Sequence, residues 1–387
     1  MCRSSTSPSN APALAAFVGR LLVFAAPLAV GAGLFEWQMC RTGESRSIRS
    51  YVRRYGDCAD VPLLLQRRYF SQQFNLYHVA MMRHRHPSLV AIGSSRIGAL
   101  RSRMFYPLQG GFYAAPNFLY CVEDIEAYAG LLSSGFLRKP RVVIIGLDPW
   151  WMNAYEDRRA WVREEEKDDV YSLSAHVSVL RRYMADLASG RPVPRGPPKD
   201  HYAVADANPP VDQPIAPFSY TNYVDREDPP VINRIRSGQK QFSGFTALDP
   251  GKLKILCRAL GQLRDMGIEV AVIQPPFSTE IVRLLEDKPE RYRWWQQYRH
   301  WLPGELEKRG VPCVRASSPA ECGLADAPHM YDGFHADSSY MSFLVEELVR
   351  QCPGGSVLSS VSLEHLRGLR NEPPPPLLGP TAGDTRL

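Results

Sequence analysis

Val142-Val143-Ile144-Ile145 sets four β-branched residues side by side, between Arg141 and Gly146-Leu147-Asp148. Branching at Cβ disfavours a helix, and a run with no polar break implies burial on both faces, as in an interior strand of a parallel sheet. Two further runs share this character. Ser88-Leu89-Val90-Ala91-Ile92 ends in Gly93-Ser94-Ser95, and Gly267-Ile268-Glu269-Val270-Ala271-Val272-Ile273 ends in Gln274 after a helical pattern over 250–266. Gly110-Gly111-Phe112-Tyr113-Ala114-Ala115 reads as a weaker second strand followed by a helix over 122–132, and Val311-Pro312-Cys313-Val314-Arg315 as the last strand. Strands alternating with helices imply an α/β domain whose mostly parallel sheet is covered on both faces. In such sheets chemistry collects at the carboxyl ends of the strands, where Ser95, Asp148 and Gln274 all fall.

Upstream of the first strand the chain is of another kind. Residues 1–10 are polar, and 11–35 are apolar apart from Arg20. A membrane-crossing helix needs about 20 mostly apolar residues, a length reached here if Arg20 snorkels toward headgroups. A secretory signal cleaved near Val30-Gly31-Ala32 is the competing reading, and a buried helix the third. Anchor and signal agree that the remainder is exported. Residues 36–86 read as an amphipathic helical stalk, 87–352 as the α/β domain, and 353–387 as a low-complexity tail that includes the proline run 373–376.

With 44% hydrophobic and 22% charged residues in 387, the chain is an ordinary globular one. Its net charge of +6 is concentrated in arginines between 41 and 68 and at Arg83-His84-Arg85-His86. That basic character suits a solvated face, or contact with an anionic polymer or lipid headgroups. No nucleic-acid recognition motif accompanies it. The eight cysteines show no zinc spacing, and His84 and His86 lack a third ligand nearby, so no metal and no cofactor are expected. If the domain is exported, Cys313 and Cys322 are the most local candidates for a bridge. An insertion over about 150–249 carries a charged helix near 158–169 and the proline-rich stretch 191–198, and reads as a lid, a binding surface or an ornament. An aromatic-rich helix over 288–310, with Tyr292, Trp294, Trp295, Tyr298 and Trp301, suits core packing, or a sugar- or membrane-facing surface.

The chemistry-bearing signal is split between the ends of the domain. Asp332-Gly333-Phe334-His335 places an acid and an imidazole three residues apart, just before a helix that Asp337 or Ser338 would cap. One short loop can thus deliver a base and the carboxylate that orients it. The nucleophile that such a pair requires is best supplied by Ser95, at the small-residue turn after the first strand. Each residue has a plainer reading: Ser95 as a helix cap, His335 as a partly buried histidine, Asp332 and Asp148 as turn-formers.

In this order, Gly93-Ser94-Ser95-Arg96, Gly146-Leu147-Asp148 and Asp332-Gly333-Phe334-His335 resemble the SGNH (GDSL-type) hydrolase superfamily. The likeness is greatest to its membrane-anchored, envelope-facing branch, which includes the teichoic-acid D-alanyl transfer and alginate O-acetylation proteins. It covers roughly residues 87–350. It implies a flavodoxin-like three-layer sandwich and acyl transfer or hydrolysis on an exported polysaccharide or other envelope polymer, with a multi-spanning membrane acyltransferase as a partner. Ser95, Asp332 and His335 would form the triad. Ser94 stands where the superfamily has an acid, and Asp148 where an oxyanion-stabilising asparagine is usual. An ionised Asp148 would repel an oxyanion; Asn117 is a candidate substitute, and Arg96 would bind an anionic substrate group or an internal carboxylate. The expectation is therefore an anchored, extracytoplasmic (periplasmic) serine O-acyltransferase. An exported carbohydrate or lipid esterase, and a catalytically silent envelope component, are the alternatives.

Overall fold

The computed structural model describes residues 11–55, 69–70, 73–154, 169–191, 193, 231–330 and 332–370. Its principal helices are α1 (Ala11–Arg41), α2 (Ile48–Tyr55), α3 (Phe74–Arg85), α4 (Val122–Ser133), α5 (Leu173–Ala188), α6 (Val231–Ser237), α7 (Pro250–Asp265), α8 (Thr279–Glu286), α9 (Ser338–Gln351) and α10 (Leu363–Arg370). Its strands are β1 (Leu89–Gly93), β2 (Phe112–Ala115), β3 (Val142–Gly146), β4 (Glu269–Ile273) and β5 (Cys313–Val314). The polar start 1–10, most of the charged helix and proline-rich stretch, Tyr331 and residues 371–387 of the tail lie outside the described residues. The chain divides into two compact units.

The larger unit holds a five-stranded sheet in the order β2-β1-β3-β4-β5, with every pair parallel. Every residue of β1 and β3 is buried, as the unbroken apolar runs require. Side chains alternate between two cores with the two-residue period of a strand. Val90, Ile92, Val143, Ile145, Val270 and Val272 meet α3, α4 and α7 on one face. Leu89, Ala91, Val142, Ile144, Ala271 and Ile273 meet α9 and α10 on the other.

Gly93 and Gly146 pair in register at the carboxyl ends of β1 and β3. A Cβ on Gly146 would lie 2.1 Å from Ile97 Cγ2, and one on Gly93 3.0 Å from it. The two glycines therefore make room for Ile97 to lie across the sheet's end, and this seats the tight turn Ser95–Ile97 above the sheet.

Four features differ from expectation. Residues 48–55 and 74–85 are no stalk, since Ile48, Val52, Tyr77 and Met81 join the main core. Residues 353–370 are not tail: Leu358, Val361, Leu366 and Leu369 are buried, and Arg367 and Arg370 both bond the buried Glu346. Cys313 and Cys322 are free thiols, unbridged. The expected aromatic helix is broken into Arg293–Gln296, a π turn Gln297–Trp301 and Leu302–Glu307, with Trp294, Trp295 and Tyr298 in the core. The insertion leaves and returns at one point, where Asn153 Nδ2 donates to the Ser243 carbonyl at 2.9 Å and Asp249 N to that of Met152 at 2.8 Å.

The smaller unit contains α1, Tyr69-Phe70 and α5 around a core of Met39, Tyr69, Phe70, Val170 and Val179. Tyr69 donates its N–H to Glu44 Oε2 at 2.9 Å and its hydroxyl to Asp186 Oδ2 at 3.0 Å. Over Leu14–Arg41 the helix is long and apolar enough to cross a membrane, with mean hydropathy 2.0 and that apolar window unburied; a membrane anchor and a signal sequence both fit it.

Candidate active site

β1 ends at Gly93 and the chain turns at once. Ser94 caps the turn, its Oγ accepting from Arg96 N at 3.3 Å, and Ser95 is its first residue. At the other end of the sequence an isolated antiparallel bridge between Met330 and Ala336 closes the base of the histidine loop. Asp337 N donates to the His329 carbonyl at 2.9 Å, and Asp337 caps α9 by accepting from Tyr340 N at 2.8 Å.

Inside that loop one carboxylate does two jobs. Asp332 Oδ1 accepts from the backbone N–H groups of Phe334 and His335, both at 2.8 Å, and Oδ2 lies 2.7 Å from His335 Nδ1. An ionised carboxylate can only accept, so Nδ1 carries the proton and Nε2 presents a lone pair. Ser95 Oγ lies 2.9 Å from that Nε2, across 240 residues of sequence. The hydroxyl therefore donates to the ring, the geometry in which a base takes a nucleophile's proton.

The electrostatics agree with this arrangement. Burial pushes the Asp332 carboxyl up, but hydrogen bonding and charge from His335, with the two backbone N–H groups, outweigh it and hold the carboxyl below its usual value. Burial lowers His335 against the opposing Asp332 carboxylate, and the Arg96 charge adds to the lowering, so the imidazole is neutral at pH 7.

Arg96 and Asp148 are not where a substrate could touch them. Both side chains are wholly enclosed, with Nη1 2.8 Å from Asp148 Oδ1. Nε donates to the Phe334 carbonyl at 3.0 Å, and Nη2 to the carbonyls of Pro275, at 2.8 Å, and Pro276. The guanidinium thus ties the ends of β1, β3 and β4 to the residue before His335. Of the two roles expected for Arg96, the internal carboxylate holds and the substrate anion does not. Burial raises the Asp148 carboxyl, opposed by Arg96, Ser94 and His335. Its Oδ2 makes no hydrogen bond of good geometry. Asp148 is a structural partner, shut off from any oxyanion. Gln274 is likewise a pin, accepting from Ala316 N at 2.9 Å and donating to the Tyr298 carbonyl.

Asn117 is differently placed. It follows β2 in the left-handed region, φ 57°, which asparagine tolerates better than most residues. The next two N–H groups, of Phe118 and Leu119, donate to the Gly93 carbonyl at 3.0 and 3.2 Å, so this turn abuts the one that carries Ser95. Asn117 is 7% exposed, and its Nδ2 is buried without a hydrogen-bond partner.

Two features escaped the sequence reading. Phe334 packs against the His335 ring at 4.4 Å between centroids and against Trp150 at 6.0 Å, walling the base. Gly333 is closely packed: a Cβ there would stand 2.5 Å from Ile281 Cδ1 and 3.3 Å from Val231 Cβ, so α6 and α8 lie directly against the loop. The Gly between Asp and Phe was the only available signal. A cavity of about 580 Å³ beside α8, lined by Arg236, Thr279, Arg283 and Asp326 among others, includes none of the triad. Among the described residues no cluster of three His, Cys, Asp or Glu side chains could hold a metal.

No protein-family model, curated protein or solved structure matches this chain.

Proposed function

We propose that the chain is a serine acyltransferase of SGNH type, anchored by α1 with its α/β unit outside the cytoplasm, and that it acts on an exported polysaccharide or similar envelope acceptor. The observation that carries the reading is the unbroken chain Ser95 Oγ to His335 Nε2, 2.9 Å, and His335 Nδ1 to Asp332 Oδ2, 2.7 Å. The strand order supports a flavodoxin-like sheet, in which Ser95 sits at the carboxyl end of β1, beside the switch point between β1 and β3.

In this mechanism Ser95 Oγ attacks the acyl carbonyl of a donor ester while its proton passes to His335 Nε2. Asp332 holds the ring in the one tautomer that can accept, and stabilises the imidazolium. The developing oxyanion is met by the Ser95 backbone N–H and the unpaired amide of Asn117, both beside the Gly93 turn. His335 returns the proton to the leaving alcohol, leaving an acyl-serine. It then deprotonates an acceptor hydroxyl, which attacks the acyl carbon and frees Ser95. A polysaccharide acceptor, and a multi-spanning membrane protein handing over the acyl group, come from the resemblance and the apolar leader.

The test supplies 4-nitrophenyl acetate to the full chain in vesicles, with and without soluble oligosaccharide. Nitrophenol release, an acetyl-Ser95 peptide and acetylated sugar are the expected products. Positioned proton transfer contributes about 10²–10⁴ in rate, so His335→Ala should lose that factor. Release unchanged in both Ser95→Ala and His335→Ala overturns the reading, and acetate released to water alone makes the chain an esterase.

A further inference from the structure

The apolar surface of α5 is left over from its own core. Leu173, Val177, Leu180, Met184 and Leu187 are between 38% and 82% exposed. At 100° per residue these five fall within about 80° of one another around the helix, a continuous stripe along its full length. The helix buries a different side, through Ala175, Val179 and Tyr183. Ser174, Ser178 and Arg181, all exposed, lie beyond the stripe's other edge.

The place of α5 along α1 says what covers that stripe. From Leu14 to Leu34 the large apolar side chains of α1 are exposed, a length of about 31 Å, which matches the hydrocarbon thickness of a bilayer. Polarity changes at the next turn. Trp37 is exposed, and Arg41 Cζ stands 5.3 Å from its ring centroid, an aromatic-basic pair of the kind that marks a membrane–water boundary. α5 packs at this level: Tyr183 meets Phe35 edge-on at 5.8 Å, and His176 Nε2 lies 3.2 Å from Glu36 Oε2. His176 and Tyr183 are about 10 Å apart along α5, yet they rest on adjacent residues of α1. The helix therefore crosses α1 instead of running beside it.

We infer that α5 is a membrane-surface helix, lying across the end of the crossing helix with its Leu173–Leu187 stripe among lipid acyl chains. This rests on α1 being retained as an anchor. Arg181, at the stripe's margin, is set to meet anionic headgroups, as basic residues do on interfacial helices. Two contacts with the bilayer, one through α1 and one through α5, would fix the tilt of this unit where a lone crossing helix leaves it free to swivel.

The full chain is reconstituted in phosphatidylcholine–phosphatidylglycerol vesicles with a diazirine-bearing amino acid replacing Val177, Met184 or Ser178 in turn. After irradiation, lipid adducts at 177 and 184 should exceed those at 178 several-fold. Intact mass and resistance to alkaline extraction are read on the same samples. Loss of the leader refutes the anchor and the inference with it. An intact, unextracted chain with no lipid excess at 177 and 184, or with adducts to a second copy or another protein there, refutes the surface helix alone.

Discussion

Arg96 Nη1 stands 2.8 Å from Asp148 Oδ1, and neither side chain is reached by solvent. The pair joins the residue after Ser95 to the end of β3. Through the Phe334 carbonyl it also reaches the peptide before the base. The Ser95–His335–Asp332 arrangement is therefore braced from beneath by a buried ion pair that solvent does not reach.

Removing one partner of such a pair leaves an uncompensated buried charge, which costs about 3–5 kcal/mol. Asp148→Leu should accordingly lower the unfolding free energy of the α/β unit by that much, read as a fall in its urea midpoint. It should also lower turnover in the fraction still folded, because Arg96 would no longer be held to the Phe334 carbonyl. An unchanged midpoint would show that the pair is not a strut.

Much of this frame is legible in the sequence, for identifiable reasons. β1, β3 and β4 announce themselves because strands buried on both faces need unbroken apolar runs, and Asp-x-x-His because both groups share one loop. The strut is not legible. Three of the four partners of Arg96 are main-chain carbonyls, of Pro275, Pro276 and Phe334, which leave no side-chain signature. From sequence alone, Asp148 therefore reads as a misplaced oxyanion residue. Residues 353–370 read as tail because prolines and serines surround them, while the packing of Leu358 and Leu366 is visible only once α9 is in place. α2 and α3 look like a stalk until Tyr77 and Met81 are seen to face the sheet's own helices.

The acid limb of activity should report His335. The proposed transfer would need the neutral imidazole, and burial holds its titration below the ordinary 6.5. Rate should therefore rise with pH, reach half its maximum below pH 6.5, and level off at higher pH. Asp332 opposes that lowering, so Asp332→Asn should move the inflection to still lower pH while reducing the plateau. An inflection at 6.5 or above in the unaltered chain, or an upward move in the variant, would contradict the assignment.

Asn117→Gly separates chemistry from backbone. Glycine takes a positive φ without strain, so the turn that bonds Gly93 should persist and the thermal midpoint should change little. Loss of an oxyanion donor costs about 10²–10³ in turnover, and that loss is expected here. Full activity in the variant would leave the oxyanion to backbone N–H groups alone.

The proposed acyl transfer requires an activated Ser95 hydroxyl. The direct measurement is labelling of the full chain by a fluorophosphonate, read by peptide mass. Modification is predicted at Ser95, prevented by His335→Ala with the fold intact by circular dichroism. A folded chain that takes no label at Ser95, or takes it equally without His335, would contradict an acyl-transfer site and leave the hydrogen-bonded triad as architecture only.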